Sequence, residues 1–245
     1  MLYSELFCQS NFSFLQGASH PEELVIQADF LGYQAIALTD ECSVAGVVKA
    51  HSAIKEHNLR VKLIIGSMFW LNEELQIVLL CPNRNAYAEL CRIISNARKR
   101  SEKGHYDLQE WDLMSLKHCL FLWLPTGQSK DNYWGRWLYK HHSKRIWLGL
   151  QRRLLNNDKA YQQHCLSLAK YFEIPITACG GVLMHNASRL PLQHTLTAIY
   201  EKKSIQELGY KRLSNTERSL RSMQKLTKLF SQEHLFESQN IAGLC

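Results

Sequence analysis

The stretch that decides the fold is AIALTDE, residues 35–41, in which a short uncharged run ends in two acidic residues. A run of this kind is typical of a strand buried on both faces of a parallel sheet. Helical spacing flanks it on both sides, in Leu24, Val25, Ala28 and Leu31 before it and in Val44, Val47, Val48 and Ile54 after it. The order helix, strand, helix predicts the α/β class.

The same alternation continues along the chain. Further strands are predicted at residues 3–8, 63–66, 77–81, 120–124, 146–150 and 174–178. Ser19 and Glu22 fit a capping box for the first helix. Helical stripes are also predicted at 87–97, with Tyr87, Leu90 and Ile94 facing inward, and in the tail at 192–200 and 220–230. About seven strand units favour a closed or nearly closed barrel.

Length and composition bound the domain organisation. The 245 residues, 46% hydrophobic and 21% charged, suit one globular domain with a sizeable core. We predict a single domain over 1–245, with a barrel to about residue 200 and a helical extension over about 201–245. The sequence stops abruptly at Gly243-Leu244-Cys245, which suggests truncation.

Several classes of protein are excluded by the sequence. No apolar run approaches the ~20 residues of a membrane helix. The first residues lack the basic and apolar regions of a signal peptide, so a cytoplasmic location is predicted. None of the 8 cysteines has CxxC spacing, which favours reduced thiols. The net charge of +7 allows an acidic partner such as nucleic acid, or simply a basic solvated surface.

Catalytic groups of such barrels lie at the carboxyl ends of the strands. Gln9 and Gln16 follow the first strand, and Asp40 and Glu41 follow the second. Met68 follows the third, and residues 180–183 follow the strand at 174–178. These positions are the candidate site.

The segments 10–15, 17–24, 31–33, 37–43 and 65–67 resemble the N-terminal PHP (polymerase and histidinol phosphatase) domain of bacterial error-prone DNA polymerases of family C, and 83–103 and 184–193 continue the match. The resemblance implies a distorted TIM-like (β/α)7 barrel of the PHP type. It covers nearly the whole chain, and the first 70 residues carry most of its weight.

The resemblance also implies that a metal site has been lost. Its ligand positions are occupied by Phe7 and Gln9 (a His-x-His pair in the family), Gln16 (Asp), Asp40 and Glu41 (an Asp-His pair), Met68 (Glu), Gln76 (His), Leu124 (Cys), and Gly181 and Leu183 (an Asp-x-His pair). Apolar side chains offer a cation no donor, and amides are weak ligands beside imidazole or carboxylate. Neighbours on a strand point to opposite sides, so Asp40 and Glu41 are not expected to hold two cations together.

Other chemistry is absent from the sequence. It contains no Gly-x-Ser-x-Gly elbow, P-loop, zinc CxxC pair or Asp-x-Asp pair. We therefore predict no catalytic residue, no bound metal and no cofactor in this segment. The resemblance places the Mg²⁺ of the parent polymerase in a palm region beyond Cys245. His20, His185 and His194 are interpreted as capping, surface or hydrogen-bonded residues rather than ligands, and Asp40 as a structural carboxylate.

Two stretches could contact nucleic acid. The first crowds cations on one helix and its exit, at Arg84, Arg92, Arg98, Lys99, Arg100 and Lys103. Such residues bind phosphates without sequence preference, although a solvated basic face explains them equally well. The second, residues 133–145, interleaves aromatic and basic side chains. We favour an amphipathic helix that buries Trp134, Trp137 and Leu138 over base stacking.

Three functions remain open. The first is a non-catalytic PHP-like domain of an error-prone polymerase, with a structural role in translesion synthesis and DNA repair. Its partners would be the remainder of the polymerase subunit, DNA, the sliding clamp and mutasome proteins, and no membrane. The second is a stand-alone metal-dependent phosphoesterase with a reduced site. The third is a truncated product without its own function.

Overall fold

The computed structural model of the protein describes residues 3–245. Seven strands form one sheet in chain order: β1 (Ser4–Cys8), β2 (Ala35–Leu38), β3 (Lys62–Leu71), β4 (Leu75–Leu80), β5 (Leu120–Leu124), β6 (Ile146–Gln151) and β7 (Ile176–Cys179). The helices are α1 (Pro21–Phe30), α2 (Val47–Glu56), α3 (Arg84–Lys99), α4 (Glu110–Met114), α5 (Asp131–His142), α6 (Asp158–Phe172), α7 (Leu190–Glu201), α8 (Met223–Leu229) and α9 (Gln232–Leu244).

The sheet closes into a barrel where the chain beyond β7 meets β1. Val182 donates its backbone N–H to the Phe7 carbonyl and accepts from the Gln9 N–H, both at 2.9 Å. This single parallel bridge lies at the carboxyl end of β1. The predicted α/β fold with a nearly closed seven-stranded barrel is confirmed.

One strand departs from the predicted strand–helix–strand alternation. β4 runs antiparallel to both β3 and β5, while the other neighbouring strands pair in parallel. Only residues 72–74 join β3 to β4. A parallel crossover needs a dozen residues or more, so this short turn can only make a hairpin. β3 also continues to Leu71, well beyond the predicted end at residue 66.

The strands bury both faces. Their alternate residues fill the barrel interior with side chains that include Phe7, Ala35, Ala37, Ile64, Met68, Val78, Leu80, Leu120, Leu122, Leu124 and Cys179. The opposite faces pack against the surrounding helices in a second, larger cluster. This burial on two sides explains the nearly continuous apolar runs of the sequence. No helix within residues 3–245 is long and apolar enough to cross a membrane.

Helix α9 closes the end of the barrel opposite the strand carboxyl termini. Its Ile241 and Ala242 join the interior cluster. Ser238 Oγ accepts the N–H of Ser4 at 3.2 Å, and Lys62 Nζ donates to the Ala242 carbonyl at 3.0 Å. Ser4 and Lys62 begin β1 and β3, so α9 lies beneath the amino ends of these strands. The predicted tail pattern at 220–230 covers only α8, and α9 was missed.

We expect Ile241→Ala to lower the free energy of unfolding by about 2–5 kcal/mol, because it opens a cavity in the barrel interior. Urea denaturation followed by circular dichroism measures the change. Phe236→Ala is the matched control, since Phe236 lies on the same helix but is 60% exposed. Equal losses in the two variants would contradict this role of α9.

Candidate functional site at the barrel mouth

Asp40 lies directly after β2 and is only 1% exposed. Its carboxylate accepts four hydrogen bonds: from the N–H groups of Ser10 (2.7 Å) and Ser13 (3.1 Å), and from their hydroxyls (both 2.8 Å). Burial raises the pKa of Asp40, and these bonds oppose that shift. Asp40 therefore fixes the loop after β1, as its structural interpretation predicted.

The Glu41 carboxylate accepts hydrogen bonds from a different set of residues. Gln16 Nε2 donates to one carboxylate oxygen at 2.6 Å, and the Tyr106 hydroxyl donates to the other at 2.8 Å. Burial, and then the charge of Glu41, raise the pKa of Tyr106. Both oxygens of Glu41 thus already have a hydrogen-bond partner.

A cavity of about 400 Å³ lies at the mouth, beside these residues. Four of the ten predicted ligand positions line it: Gln9, Gln16, Met68 and Gln76. The rest of its lining is mainly polar, and comprises Trp70, Glu73, Pro125, Thr126, Gln128, Gln151, Arg153, Leu155, Asn157, Asp158, Tyr161 and Arg218. Asp40 and Glu41 do not line it. The cavity is therefore lined mainly by amides, arginines and apolar groups, and its two carboxylates, Glu73 and Asp158, lie outside the ten predicted ligand positions.

The remaining predicted positions offer no ligand. Phe7 and Leu124 are fully buried and Leu183 is 3% exposed. Met68 was predicted to follow the third strand, and this is wrong: it lies inside β3, opposite Val78 of β4, because the strand runs on into the hairpin. Phe7, Leu124 and Leu183 therefore pack as core, and Met68 packs in the barrel interior while also lining the cavity.

Gly181 could not carry a ligand side chain without disruption. Its φ is +61°, in the left-handed region that favours glycine. A Cβ there would lie 2.5 Å from Gln151 Oε1. Arg218 Nε donates to the Gly181 carbonyl at 2.6 Å, which fixes this backbone. An aspartate at position 181 would therefore have a strained backbone and would displace the Gln151 amide.

This donor set does not fit a multi-metal centre. Within residues 3–245, no three histidine, cysteine, aspartate or glutamate side chains converge as metal ligands. The two carboxylates beside the cavity are engaged by serine, glutamine and tyrosine donors. Neutral amides cannot replace the lost charge.

The three histidines have structural partners or lie exposed. His20, and not Ser19, is the N-cap residue of α1, and its N–H donates to Glu23 Oε2 at 2.9 Å. Ser19 instead bonds the His185 ring at 2.8 Å. His194 Nε2 lies 2.9 Å from the Leu213 carbonyl. Their interpretation as capping or hydrogen-bonded residues is confirmed, although the predicted Ser19 cap is wrong.

The predicted basic residues lie on α3 and on the segment just after it, which together form the α3 surface, and these cations divide into two groups. Arg98 donates to the carbonyls of Glu41 (3.4 Å), Cys42 (3.2 Å) and His105 (3.1 Å), and Arg100 pairs with Asp112. These two arginines therefore act within the fold. The other four are exposed and have no ion pair within residues 3–245: Arg84, Arg92, Lys99 and Lys103.

Two predictions about aromatic residues have opposite outcomes. Tyr87 was expected to face inward, but it is 38% exposed, because α3 buries Ala86, Leu90 and Ile93 instead. In α5, Trp134 and Leu138 are buried and Trp137 is partly buried. The amphipathic-helix interpretation of residues 133–145 is confirmed.

Sequence reasoning missed three side chains of the mouth. Gln151 and Arg153 lie at the end of β6, so the rule that searches strand ends could have found them. Arg218 lies in an irregular segment between α7 and α8, and no sequence pattern marks it.

Comparison with known proteins agrees with this fold. The sequence profile of the PHP domain family matches residues 5–123. A solved structure from Bifidobacterium adolescentis, classed as a metal-dependent phosphoesterase, superposes with a TM-score of 0.51 at 13% identity, covering 73% of this chain and 86% of that one. That likeness shows the fold alone. A PHP domain is therefore shown for residues 5–123.

Its similarity to named proteins is more specific. It is 65% identical over its whole length to an error-prone DNA polymerase of Vibrio parahaemolyticus, and 43% identical over 99% of its length to one of Dechloromonas aromatica. In both cases the chain spans 24% of the relative. It is therefore similar to a PHP-containing quarter of error-prone DNA polymerases.

Proposed function

We propose that this chain is a non-catalytic PHP domain that supports an error-prone DNA polymerase in translesion synthesis and DNA repair. One observation carries the proposal: Asp40 and Glu41, the carboxylates left at the predicted ligand positions, are both held by hydrogen bonds within the protein. A hydrolase that uses two metals needs anions free to bind them. The fold is retained while the ligands are replaced.

The main partner in this proposal is the remainder of a polymerase. The relatives are about four times longer than this chain, which supports such a partner. Large apolar side chains are exposed near the mouth and on the helices after it: Phe14, Leu192, Ile199, Tyr200 and Tyr210. Exposed apolar groups of this kind are suited to a protein contact. DNA, the sliding clamp and mutasome proteins are further proposed partners, in the cytoplasm, with Mg²⁺ confined to the polymerase palm.

An assay for phosphodiester hydrolysis tests the proposal. We expect the chain to release no product from bis-p-nitrophenyl phosphate or a labelled oligonucleotide above the protein-free rate, with Mn²⁺, Zn²⁺ or Mg²⁺ present. Metal-dependent turnover that disappears in Glu41→Gln would overturn the proposal in favour of the phosphoesterase alternative. Glu41→Gln suits this test because Glu41 is less deeply buried than Asp40.

The exposed cations of α3 predict weak, salt-dependent DNA binding. Replacing Arg84, Arg92, Lys99 and Lys103 together by alanine should reduce the slope of log affinity against log salt by ~0.7–0.9 for each DNA phosphate that these side chains neutralise. Fluorescence anisotropy with a labelled oligonucleotide at several salt concentrations measures this slope.

The control for this experiment removes the same charge elsewhere. Alanine at four other exposed lysines, Lys55, Lys170, Lys203 and Lys228, should leave the slope close to that of the parent chain. Equal effects of the two sets would show that net charge, and not the α3 surface, attracts DNA.

A further inference from the structure

We propose that the mouth cavity binds a phosphate-type oxyanion, held directly by the guanidinium groups of Arg153 and Arg218 and not through metal ions. The class of ligand is a small phosphate-bearing anion, such as pyrophosphate or the terminal phosphate of a nucleotide. This site is independent of the proposed polymerase role, because it follows from the side chains of this chain alone.

Arg153 presents a free edge to the cavity. Its Nε and Nη2 both donate to Gln151 Oε1, at 3.1 and 2.5 Å, which holds the planar group in place. Its Nη1 has no hydrogen-bond partner within residues 3–245. The neighbouring Arg152 differs, since it pairs with Asp158 at 2.7 Å.

Arg218, which is distant from Arg153 in sequence, is also fixed by a hydrogen bond through its Nε. Its Nε donates to the Gly181 carbonyl at 2.6 Å. Neither of its terminal nitrogens hydrogen-bonds to a residue between 3 and 245, and neither is sealed off from solvent. Two oriented guanidinium groups with unused N–H donors thus line one cavity. This is the donor arrangement that recognises phosphate oxygens.

Neither arginine of the cavity has an ion-pair partner within the described chain. Of the two carboxylates that line the cavity, Asp158 is engaged by Arg152 and by the N–H groups of residues 153 and 154, and Glu73 lies exposed at the rim. Burial, and then the charge of Arg153, lower the pKa of Arg218. Two like charges enclosed together are costly, and a bound anion offsets that cost.

The rest of the lining suits the same ligand. Gln76 and Gln128 bring neutral amide groups to the cavity without adding negative charge. Gln9 and Gln16 also line it, although each already donates one amide N–H, to Ser13 and to Glu41. A volume of about 400 Å³ lies within the range of small-molecule sites. The cavity thus combines two fixed cations with uncharged polar side chains.

Isothermal titration calorimetry of the full chain with pyrophosphate, in low salt with EDTA, tests the site. We expect saturable 1:1 binding that weakens about tenfold or more in Arg153→Gln and in Arg218→Gln. Arg136→Gln is the control, because Arg136 is exposed on α5 and does not line the cavity. Arg218→Lys should retain part of the affinity, because it keeps the positive charge but loses the planar guanidinium group that can donate two parallel hydrogen bonds.

Two further arms identify the source of the phosphate. Tighter, arginine-dependent binding of a 5′-phosphorylated oligonucleotide than of its unphosphorylated form would assign the site to a nucleic-acid end. Binding of pyrophosphate or inorganic phosphate alone would assign it to a free anion. Absence of 1:1 binding by every probe, or equal affinity in the parent and both glutamine variants, would overturn the proposal.

A second measurement uses the unmodified chain, in case a variant does not fold. Pyrophosphate should slow the modification of Arg153 and Arg218 by phenylglyoxal, mapped by mass spectrometry, and leave Arg136 unaffected. Equal protection of all three arginines, or of none, would overturn the proposal.

Discussion

We expect Asp40→Ala to lower the free energy of unfolding, measured by urea denaturation, by about 3–5 kcal/mol. The substitution leaves without an acceptor the two backbone N–H groups and two hydroxyls that donate to this carboxylate in the parent chain. Each buried donor without a partner costs about 1–3 kcal/mol, although the hydroxyls can turn toward other acceptors. The loop after β1 should loosen with the loss of this anchor.

The neighbouring acid provides the control. Glu41→Ala leaves Gln16 and Tyr106 without an acceptor, but both lie where water can reach them, so the expected loss is about 1 kcal/mol. Equal losses in the two variants would show that Asp40 does not anchor the loop.

Gly17→Ala should be about as damaging, with a loss of roughly 3–5 kcal/mol. A Cβ at position 17 would lie 2.0 Å from the carbonyl oxygen of Ser10 and 2.3 Å from its carbonyl carbon. Both are backbone atoms, so the loop must move to admit the methyl group. Ser10 also donates twice to Asp40, and the displacement should therefore weaken that anchor.

A second glycine provides the comparison for this variant. Gly243→Ala meets no atom within 4 Å and lies in α9, where alanine is favoured over glycine by up to about 1 kcal/mol. In thermal unfolding, the midpoint temperature should fall in Gly17→Ala and rise slightly in Gly243→Ala. A Gly17→Ala chain as stable as the parent would contradict the close approach of this loop.

Most of the barrel could be predicted from the sequence, because its strands are buried on both faces. Residues 120–124 and 146–150 are continuous apolar runs, and the structure has strands there. The antiparallel direction of β4 was missed because it depends on the length of the connection between β3 and β4. The prediction ended β3 at residue 66, which leaves a much longer connection than the observed one at 72–74. Helix α9 was missed because only Leu235, Ile241 and Ala242 of its apolar residues are buried, too few for a clear stripe.

The site could be predicted in part. Strand ends and family resemblance led to Gln9, Gln16 and Gln76, which do line the mouth cavity. They could not locate Arg218, whose position depends on how an irregular segment folds back over Gly181. Nor could they show that Arg98 donates to backbone carbonyls, since an arginine on a basic helix gives no sign of its partners in sequence.

The central claim is that the chain keeps a PHP fold in which Asp40 and Glu41 have a structural role. The most direct test is a calorimetric titration of the metal-stripped chain with Mn²⁺, with the Glu41→Gln variant titrated in parallel. We expect no stoichiometric binding in either protein, because Asp40 and Glu41 are already engaged and the cavity is lined by amides and arginines. One or more tightly bound Mn²⁺ per chain, lost in Glu41→Gln, would contradict the account.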